Sequence, residues 1–207
     1  DLPSLKTINW HAGKLPFYRG RNILNWVLIN DEKEFGITVH FVDDNIDTGD
    51  IILQKLFPIS DKDDYSSLLK IAYIECANVL YSAINLIKSQ NFIVIKQNEI
   101  DPYGLYCRRR VSGDEIINWN QTSRKIFNFV RAICRPGPMA KSFINGKEIK
   151  INQVKVIENE FSDFSELGSV LKIDTTGFYV KTKDHDVKVI EFKYYGEVKL
   201  GDKLETK

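Results

Sequence analysis

Apolar positions along the chain change period several times, and each change marks an element. From Tyr65 to Ser89, Leu68, Leu69, Ala72, Tyr73, Cys76, Val79, Leu80, Ala83, Ile84 and Ile87 recur at three- and four-residue spacing. That is the clearest helix in the protein, and the stripe is a packing face that implies no cofactor. Ser60 to Asp64 forms its polar start. Ahead of it, Leu5–His11, Gly36–Val42 and Ile51–Ile59 are rich in β-formers and read as strands. Arg21–Ile29 reads as a short apolar helix with Asn22 as its cap. Strand, helix and strand in succession predict a βαβ unit, hence an α/β domain with a parallel sheet. Phe92–Ile95 adds a short strand, and Gln97–Gly104, with its Pro and Gly, reads as a linker.

The pattern then turns to β. Ile116–Trp119 opens the second half, followed by one helix capped near Asn120 or Thr122, with Ile126, Phe129, Val130 and Ile133 on one face. Pro136-Gly137-Pro138 stops that helix. Phe143–Ile151 is a hairpin turning at Asn145-Gly146, a dipeptide suited to the positive φ angles of a type I′ turn. Gln153–Ile157, Gly168–Ile173, Gly177–Thr182 and Asp186–Phe192 are further strands. Short strands at this spacing predict a small open barrel resembling an OB-fold.

Composition changes this picture little. Of 207 residues, 43% are hydrophobic and 28% charged, the balance of an ordinary globular chain, and the net charge of +1 gives no overall bias toward nucleic acid. Residues 1–105 hold 10 Lys/Arg against 14 Asp/Glu, whereas residues 106–207 hold 19 against 14. The mildly basic second half suits a phosphorylated ligand or a set of solvated strand edges equally well. Cys76, Cys107 and Cys134 lack paired spacing, so no disulfide framework or zinc site is expected. No apolar run is read as spanning a bilayer and no signal peptide is visible, which leads to the expectation of a cytoplasmic chain without a membrane partner.

The candidate chemistry lies between Asn9 and Asp50. On a strand, Asn9 and His11 project to one face, because residues two apart do so. Asp47 follows in the acidic turn Asp43–Asp50. In a parallel sheet, ligands bind beyond the carboxyl ends of the strands, which places the three groups together. An amide, an imidazole and a carboxylate suit acyl transfer: the amide and a protonated imidazole donate to an oxyanion, and the carboxylate orients the imidazole. Taken singly, Asn-x-His is also a polar strand end, and the acidic turn is also a solvated loop or a cation site. Its spacing does not match an EF-hand. His40, inside an apolar strand, reads as structural.

The ordered co-occurrence Asn9-x-His11, Leu15-Pro16-x-Tyr18-Arg19-Gly20 and Asp47-Thr48-Gly49-Asp50 resembles the 10-formyltetrahydrofolate-dependent formyltransferase family. Leu105–Arg110, Ile116–Trp119 and Phe129–Pro138 resemble the C-terminal domain shared by methionyl-tRNA and nucleotide-sugar formyltransferases. The resemblance implies a Rossmann-like catalytic domain over residues 1–104 and an OB-like domain over 105–207. It implies Asn9, His11 and Asp47 as catalytic residues, and Asp44 and Asn45 at the pterin pocket of the co-substrate 10-formyltetrahydrofolate. No metal is implied. Ala12-Gly13 departs from the family's usual Pro-Ser or Gly-Ser after the His, removing a hydroxyl near the site.

After the Tyr, methionyl-tRNA formyltransferases commonly read Arg-Gly-Ala-Ala-Pro-Ile-Gln, whereas this chain reads Arg19-Gly20-Arg21-Asn22-Ile23-Leu24. That is similar to amino-sugar formyltransferases, in which an Arg in the place of Arg21 lies near the active site. The expected reaction is therefore formylation of a nucleotide-linked 4-amino-4,6-dideoxy sugar, dTDP-linked, for O-antigen or another surface glycan. Small-molecule partners, a homodimer and no nucleic acid are expected. Methionyl-tRNA formylation, a non-catalytic nucleotide-binding fragment and a folate-dependent hydrolase of the same fold are the alternatives. A complete family domain has further strands before the Asn-x-His strand. The chain starts eight residues before Asn9, so the expectation is a fragment with an exposed sheet edge and little turnover of its own.

Overall fold

The computed structural model describes residues 6–90, 92–158 and 165–206. Leu5, in the expected first strand, lies outside the described residues. The chain forms two compact units, residues 1–63 with 67–110 and residues 64–66 with 111–207.

In the first unit, β1 (Ile8–His11), β3 (Glu34–Phe41) and β4 (Ile51–Pro58) form one sheet in the order β1-β3-β4. Both pairings are antiparallel, which corrects the expected parallel βαβ sheet. The connection from β1 to β3, which includes helix α1 (Ile23–Ile29), returns the chain antiparallel beside β1, because strand direction is set by the partner a strand meets and the strand–helix–strand pattern fits either outcome. Phe35, Ile37 and Val39 of β3 are fully buried. The polar residues between them, Thr38 and His40, are buried too, so both faces of β3 are covered.

Helix α2 (Tyr65–Ser89) buries Leu68, Ala72, Cys76, Val79 and Ala83, a single stripe at helical spacing. Among the described residues α2 is the one helix long and apolar enough to cross a bilayer by length and composition, which amends the sequence reading. Phe92–Ile95 contributes only an isolated bridge between Ile95 and Ile51 rather than a strand. The expected linker contains a short helix, α3 (Gln97–Ile100), and Gln97 is buried. A two-residue parallel pairing joins β2 (Arg19–Gly20) to β5 (Tyr106–Cys107), so Leu105–Arg110 stays with the first unit.

In the second unit the buried indole N–H of Trp119 donates to Ser142 Oγ. Helix α4 (Ser123–Ile133) starts at Thr122, whose hydroxyl accepts from the Lys125 N–H at 3.3 Å. Strands β6 (Ala140–Ile144), β7 (Lys147–Ile157), β8 (Val170–Asp174), β9 (Gly177–Lys181), β10 (Asp186–Tyr194) and β11 (Leu204–Glu205) form one antiparallel sheet in the order β11-β6-β7-β10-β9-β8. Hydrogen bonds from Val170 to Asp202 and from Leu204 to Gly168 join the two edges, so the sheet closes on itself, which corrects the expected open barrel. Closure removes the exposed edges that an open six-stranded sheet would present. Asn145 and Gly146 both adopt positive φ, as the type I′ hairpin requires. The hairpin strand and Gln153–Ile157 are one continuous strand, β7, bent by irregular pairing with β10.

Barrel stability should rest on its core far more than on its helix cap. Phe178 is buried and meets Phe192 edge-to-face at 5.1 Å between ring centroids. Phe178→Ala should cost about 3–5 kcal/mol, and Thr122→Ala about 1 kcal/mol. Urea unfolding followed by circular dichroism separates the two. Equal losses would show that the barrel core is not the stabilising element.

Candidate acyl-transfer site

The antiparallel register builds the site. Asn9 stands opposite His40 and His11 opposite Thr38, so all four side chains share one face of the sheet. A bulge in the β3–β4 pairing between Val39 and His40 ends the regular ladder where the site begins. The loop after β3 then folds back over that face. Asp43 organises it, accepting from the Thr48 hydroxyl at 2.6 Å and the Asn45 N–H at 3.3 Å. At Gly49 an added Cβ would sit 1.8 Å from the Phe41 carbonyl oxygen, so only glycine lets the loop return this tightly.

The result brings Asp47 between two imidazoles. Its Oδ2 lies 3.5 Å from His11 Nδ1 and accepts the Gly20 N–H at 2.9 Å; its Oδ1 lies 3.7 Å from His40 Nε2. Asn9 Nδ2 donates to His40 Nε2 at 3.4 Å. His40 Nδ1 donates to the Phe41 carbonyl at 2.7 Å, and because a carbonyl only accepts, the proton of the neutral ring is on Nδ1. The structure thus gathers Asn9, His11 and Asp47, and adds His40, which the sequence reading treated as structural. Its signal was a polar residue inside an apolar strand, two positions from another buried polar residue, Thr38.

His11 differs from expectation. Its Nε2 donates to the Tyr18 carbonyl at 2.7 Å, so both ring nitrogens already have neighbours. Burial lowers its pKa below the usual 6.5, and the Asp47 charge and the Tyr18 carbonyl only partly oppose this. The resting ring is neutral, with the Nδ1 lone pair toward Asp47, rather than the protonated donor that the sequence suggested. Burial also works to raise the Asp47 pKa, but contact with His40, the charge of His11 and the Gly20 N–H together bring it below its usual value. The His11 contribution counts only while that ring is protonated, and the His40 contact only while its Nε2 carries a proton. The Gly20 N–H is the donor present at every pH.

Gly13 explains the ring position. A Cβ there would lie 2.5 Å from His11 Nε2 and 2.6 Å from the Tyr18 carbonyl oxygen. The departure from the family pattern therefore opens the space that the imidazole occupies. Tyr18 is itself fixed: its hydroxyl donates to Glu32 at 2.5 Å and accepts from Asn30 at 3.1 Å, and burial pushes the phenol pKa up.

Gln97 was invisible in the sequence. Its Nε2 donates to the carbonyls of Asp47 (2.9 Å) and Gly49 (2.7 Å), and its Oε1 accepts from Arg19 Nε and Nη2 at 3.1 and 2.8 Å. One buried amide thus clamps the acidic loop to β2. Asp44 and Asn45, by contrast, are exposed on that loop and stand outside the Asp47 cluster. Arg21 is exposed one residue beyond Gly20, with its N–H on the Cys107 carbonyl at 3.1 Å. Among the described residues no group of His, Cys, Asp and Glu is arranged to hold a metal ion.

The formyl transferase family profile matches residues 1–83, and the formyl transferase C-terminal domain profile matches residues 111–200. A methionyl-tRNA formyltransferase of Pelotomaculum thermopropionicum is 32% identical over 200 residues, covering 97% of this chain and 62% of that protein. The bifunctional polymyxin resistance protein ArnA of Wigglesworthia glossinidia brevipalpis is 31% identical over 198 residues, covering 93% of this chain and 28% of that protein. The crystal structure of an N-formyltransferase from Helicobacter canadensis, in complex with folinic acid and dTDP-3-aminofucose, superposes with a TM-score of 0.68 at 28% identity, covering 88% of this chain and 65% of that one. The chain spans less than two thirds of the length of these relatives. With both family profiles matched in order, and the Asn9, His11 and Asp47 side chains assembled on one sheet face, the chain belongs to the formyltransferase family.

Proposed function

We propose that this chain carries the acyl-transfer centre of a folate-dependent N-formyltransferase, with Asn9, His11 and Asp47 as its catalytic residues. The observation that carries the reading is the Asp47 carboxylate shared between two imidazoles, one of which, His40, accepts from the Asn9 amide. Bound 10-formyltetrahydrofolate would supply the formyl carbon and leave as tetrahydrofolate. Asp44 and Asn45, exposed on the loop that carries Asp47, offer a carboxylate and an amide suited to the N–H edge of a pterin.

The chain's own groups divide the work. The acceptor amine attacks as a neutral base and must lose a proton as its new C–N bond forms. The unprotonated Nδ1 of His11 is the acceptor in place for it, Asp47 stabilises the resulting imidazolium, and the proton would pass on to the folate nitrogen as its bond to the formyl carbon breaks. The Asn9 amide rests one N–H on His40 and keeps its second N–H as the donor for the developing oxyanion. His40 holds that amide in the plane of the site, and Gln97 holds the loop, so neither Asn9 nor Asp47 must reorganise during the reaction.

For the acceptor, the reading favoured here is a nucleotide-linked amino sugar, dTDP-linked, in surface-glycan synthesis. The exposed Arg21 beside Gly20 supports it, as does the likeness to the Helicobacter canadensis enzyme crystallised with a dTDP-amino sugar. Identity at the 32% level to a methionyl-tRNA formyltransferase favours the second reading, formylation of methionyl-tRNA. Side-by-side assay of tetrahydrofolate release with a dTDP-4-amino-4,6-dideoxy sugar and with methionyl-tRNA decides between them. Turnover with the sugar and none with the tRNA is expected; the reverse result installs the second reading.

Asp47→Asn and Asn9→Ala should each lower formyl transfer by at least ~100-fold, in kcat rather than KM, because each removes a group whose interaction strengthens in the transition state. Near-normal turnover in either folded variant would sink the assignment.

The pH behaviour has a defined sign. Relative to the unfolded chain, folding strips His11 of its proton between its lowered pKa and 6.5. Its contribution to stability is therefore fully present above 6.5 and is lost as the pH falls through that window. Asp47, also lowered, contributes above 3.8 and loses its contribution as the pH falls through its depressed value. In carbon-detected NMR titration the His11 ring should titrate below 6.5, and lower still in Asp47→Asn, where the opposing charge is gone. A His11 midpoint above 6.5 would contradict the neutral resting ring.

A further inference from the structure

The neutral ring of His11 carries one proton and has an acceptor for it on either side. Asp47 Oδ2 lies 3.5 Å from Nδ1, and the Tyr18 carbonyl oxygen lies 2.7 Å from Nε2. A carboxylate is the stronger acceptor, so by chemistry alone the proton belongs on Nδ1. Geometry reverses this, because the carbonyl is at full hydrogen-bonding distance and the carboxylate at the edge of it. Asp47 is held back by the Gly20 N–H on its carboxylate and by Gln97 on its carbonyl. The position of one backbone carbonyl therefore decides which nitrogen of His11 keeps its lone pair.

That carbonyl is held from both ends of its residue. Tyr18 adopts φ 60°, the left-handed region that a bulky side chain enters only when its surroundings over-determine it. Asn22 shares the conformation at φ 58°, but asparagine tolerates it; its side chain, expected to cap α1, accepts the Arg110 N–H instead. At the backbone end, the Arg19 N–H donates to the Leu105 carbonyl at 2.8 Å. It belongs to the same trans peptide as the Tyr18 carbonyl, so the bond aims the Tyr18 oxygen the opposite way, at His11.

At the side-chain end, the Tyr18 hydroxyl donates to Glu32 Oε1 at 2.5 Å and accepts from Asn30 Nδ2 at 3.1 Å. Both partners stand on the turn that ends α1. There the Asn30 N–H binds the Trp26 carbonyl at 2.9 Å and the Glu32 N–H binds the Val27 carbonyl at 3.0 Å. Burial raises the phenol pKa, so the hydroxyl keeps its proton and stays a donor.

We propose that Tyr18 is a positioning residue: its phenol, anchored by Glu32 and Asn30, fixes the left-handed backbone, keeps the carbonyl on His11 Nε2 and so leaves the unprotonated Nδ1 facing Asp47. This deepens the acyl-transfer reading, and its effect on turnover rests on that reading. Without the anchor Tyr18 relaxes toward negative φ and its carbonyl withdraws. The ring proton then moves to Nδ1 against Asp47, and the lone pair lies on the Tyr18 side of the ring. No proton is gained or lost in that exchange, so the ratio of the two neutral forms does not change with pH.

Nitrogen-15 NMR of the imidazole rings distinguishes a protonated ring nitrogen from an unprotonated one, and the chain holds only three histidines to assign. Above pH 6.5, where His11 is neutral, the wild type should carry its proton on Nε2. Tyr18→Phe and Glu32→Ala should each shift the ratio toward the Nδ1–H form by about fivefold, the scale of one net hydrogen bond. The double variant should go no further, because both changes cut the same anchor. Glu32→Gln keeps an acceptor oxygen and should restore the wild-type ratio. In the tetrahydrofolate-release assay, kcat should fall with the fraction of His11 that has Nδ1 free, at unchanged KM. The loss should be equal at every pH above the His11 titration, whereas a shifted pKa would be recovered at high pH.

A wild-type ring protonated on Nδ1 overturns the proposal, as does an unmoved ratio in folded Tyr18→Phe and Glu32→Ala. Glu32→Gln behaving like Glu32→Ala would trace the effect to the lost charge and overturn the anchor. Should Tyr18→Phe melt early by circular dichroism, Glu32→Ala carries the same test with the ring in place. The NMR measurement needs no folate and no acceptor. A shifted ratio with unchanged kcat would therefore leave the role of Tyr18 standing and remove His11 as the base.

Discussion

The placement of the Asp47 carboxylate is the constraint on which the rest of the first unit depends. It is partly buried and negatively charged, a combination that needs donors fixed around it. Gly20 supplies a backbone N–H, and His11 and His40 flank the two oxygens. Each of these partners imposes its own requirement. Gly20 must pair with Cys107, His11 must lie over Gly13, and His40 must face Asn9 across the sheet. A single charge thus fixes the approach of one loop, two strands and the β2–β5 seam.

Gln97 is what keeps that loop from being merely a solvated acidic turn. Its buried amide satisfies the carbonyls of Asp47 and Gly49 and the guanidinium of Arg19 at once. Arg19 is also buried, and a buried guanidinium without acceptors would cost several kcal/mol. The same side chain therefore answers two liabilities, an unpaired cation and unpaired carbonyls. Rigid support of this kind is what acyl transfer needs, because the donor to the oxyanion must be in position before charge develops.

The neutral resting state of His11 follows from competition between burial and a neighbouring charge. A carboxylate beside an imidazole, read from sequence, suggests a protonated ring. Burial outweighs the carboxylate here, because the ring sits in the space that Gly13 leaves open and its other nitrogen is spent on a carbonyl. The functional consequence is a ring ready to accept a proton rather than to donate one. The absent side chain at position 13 therefore removes more than a hydroxyl, since it also creates the place where the imidazole rests.

Local signals in the sequence determined a good deal of this protein. The α2 stripe, the Asn145-Gly146 hairpin, the Thr122 cap and the run of barrel strands were all legible, because each depends on short-range periodicity or on the conformational preferences of one or two residues. The ordered motif identified the family and brought Asn9, His11 and Asp47 to notice. Strand direction was not legible, because it depends on which partner a strand meets across the sheet, and the strand–helix–strand pattern fits both outcomes. Nor was the contribution of Gln97, whose contacts lie 48 to 78 residues away along the chain, nor that of His40, which meets Asn9 through the sheet register and Asp47 through the fold of the loop. Only the tertiary structure decided the protonation of His11 and the pairing of β2 with β5. Both depend on burial and through-space distance, which local sequence patterns do not encode.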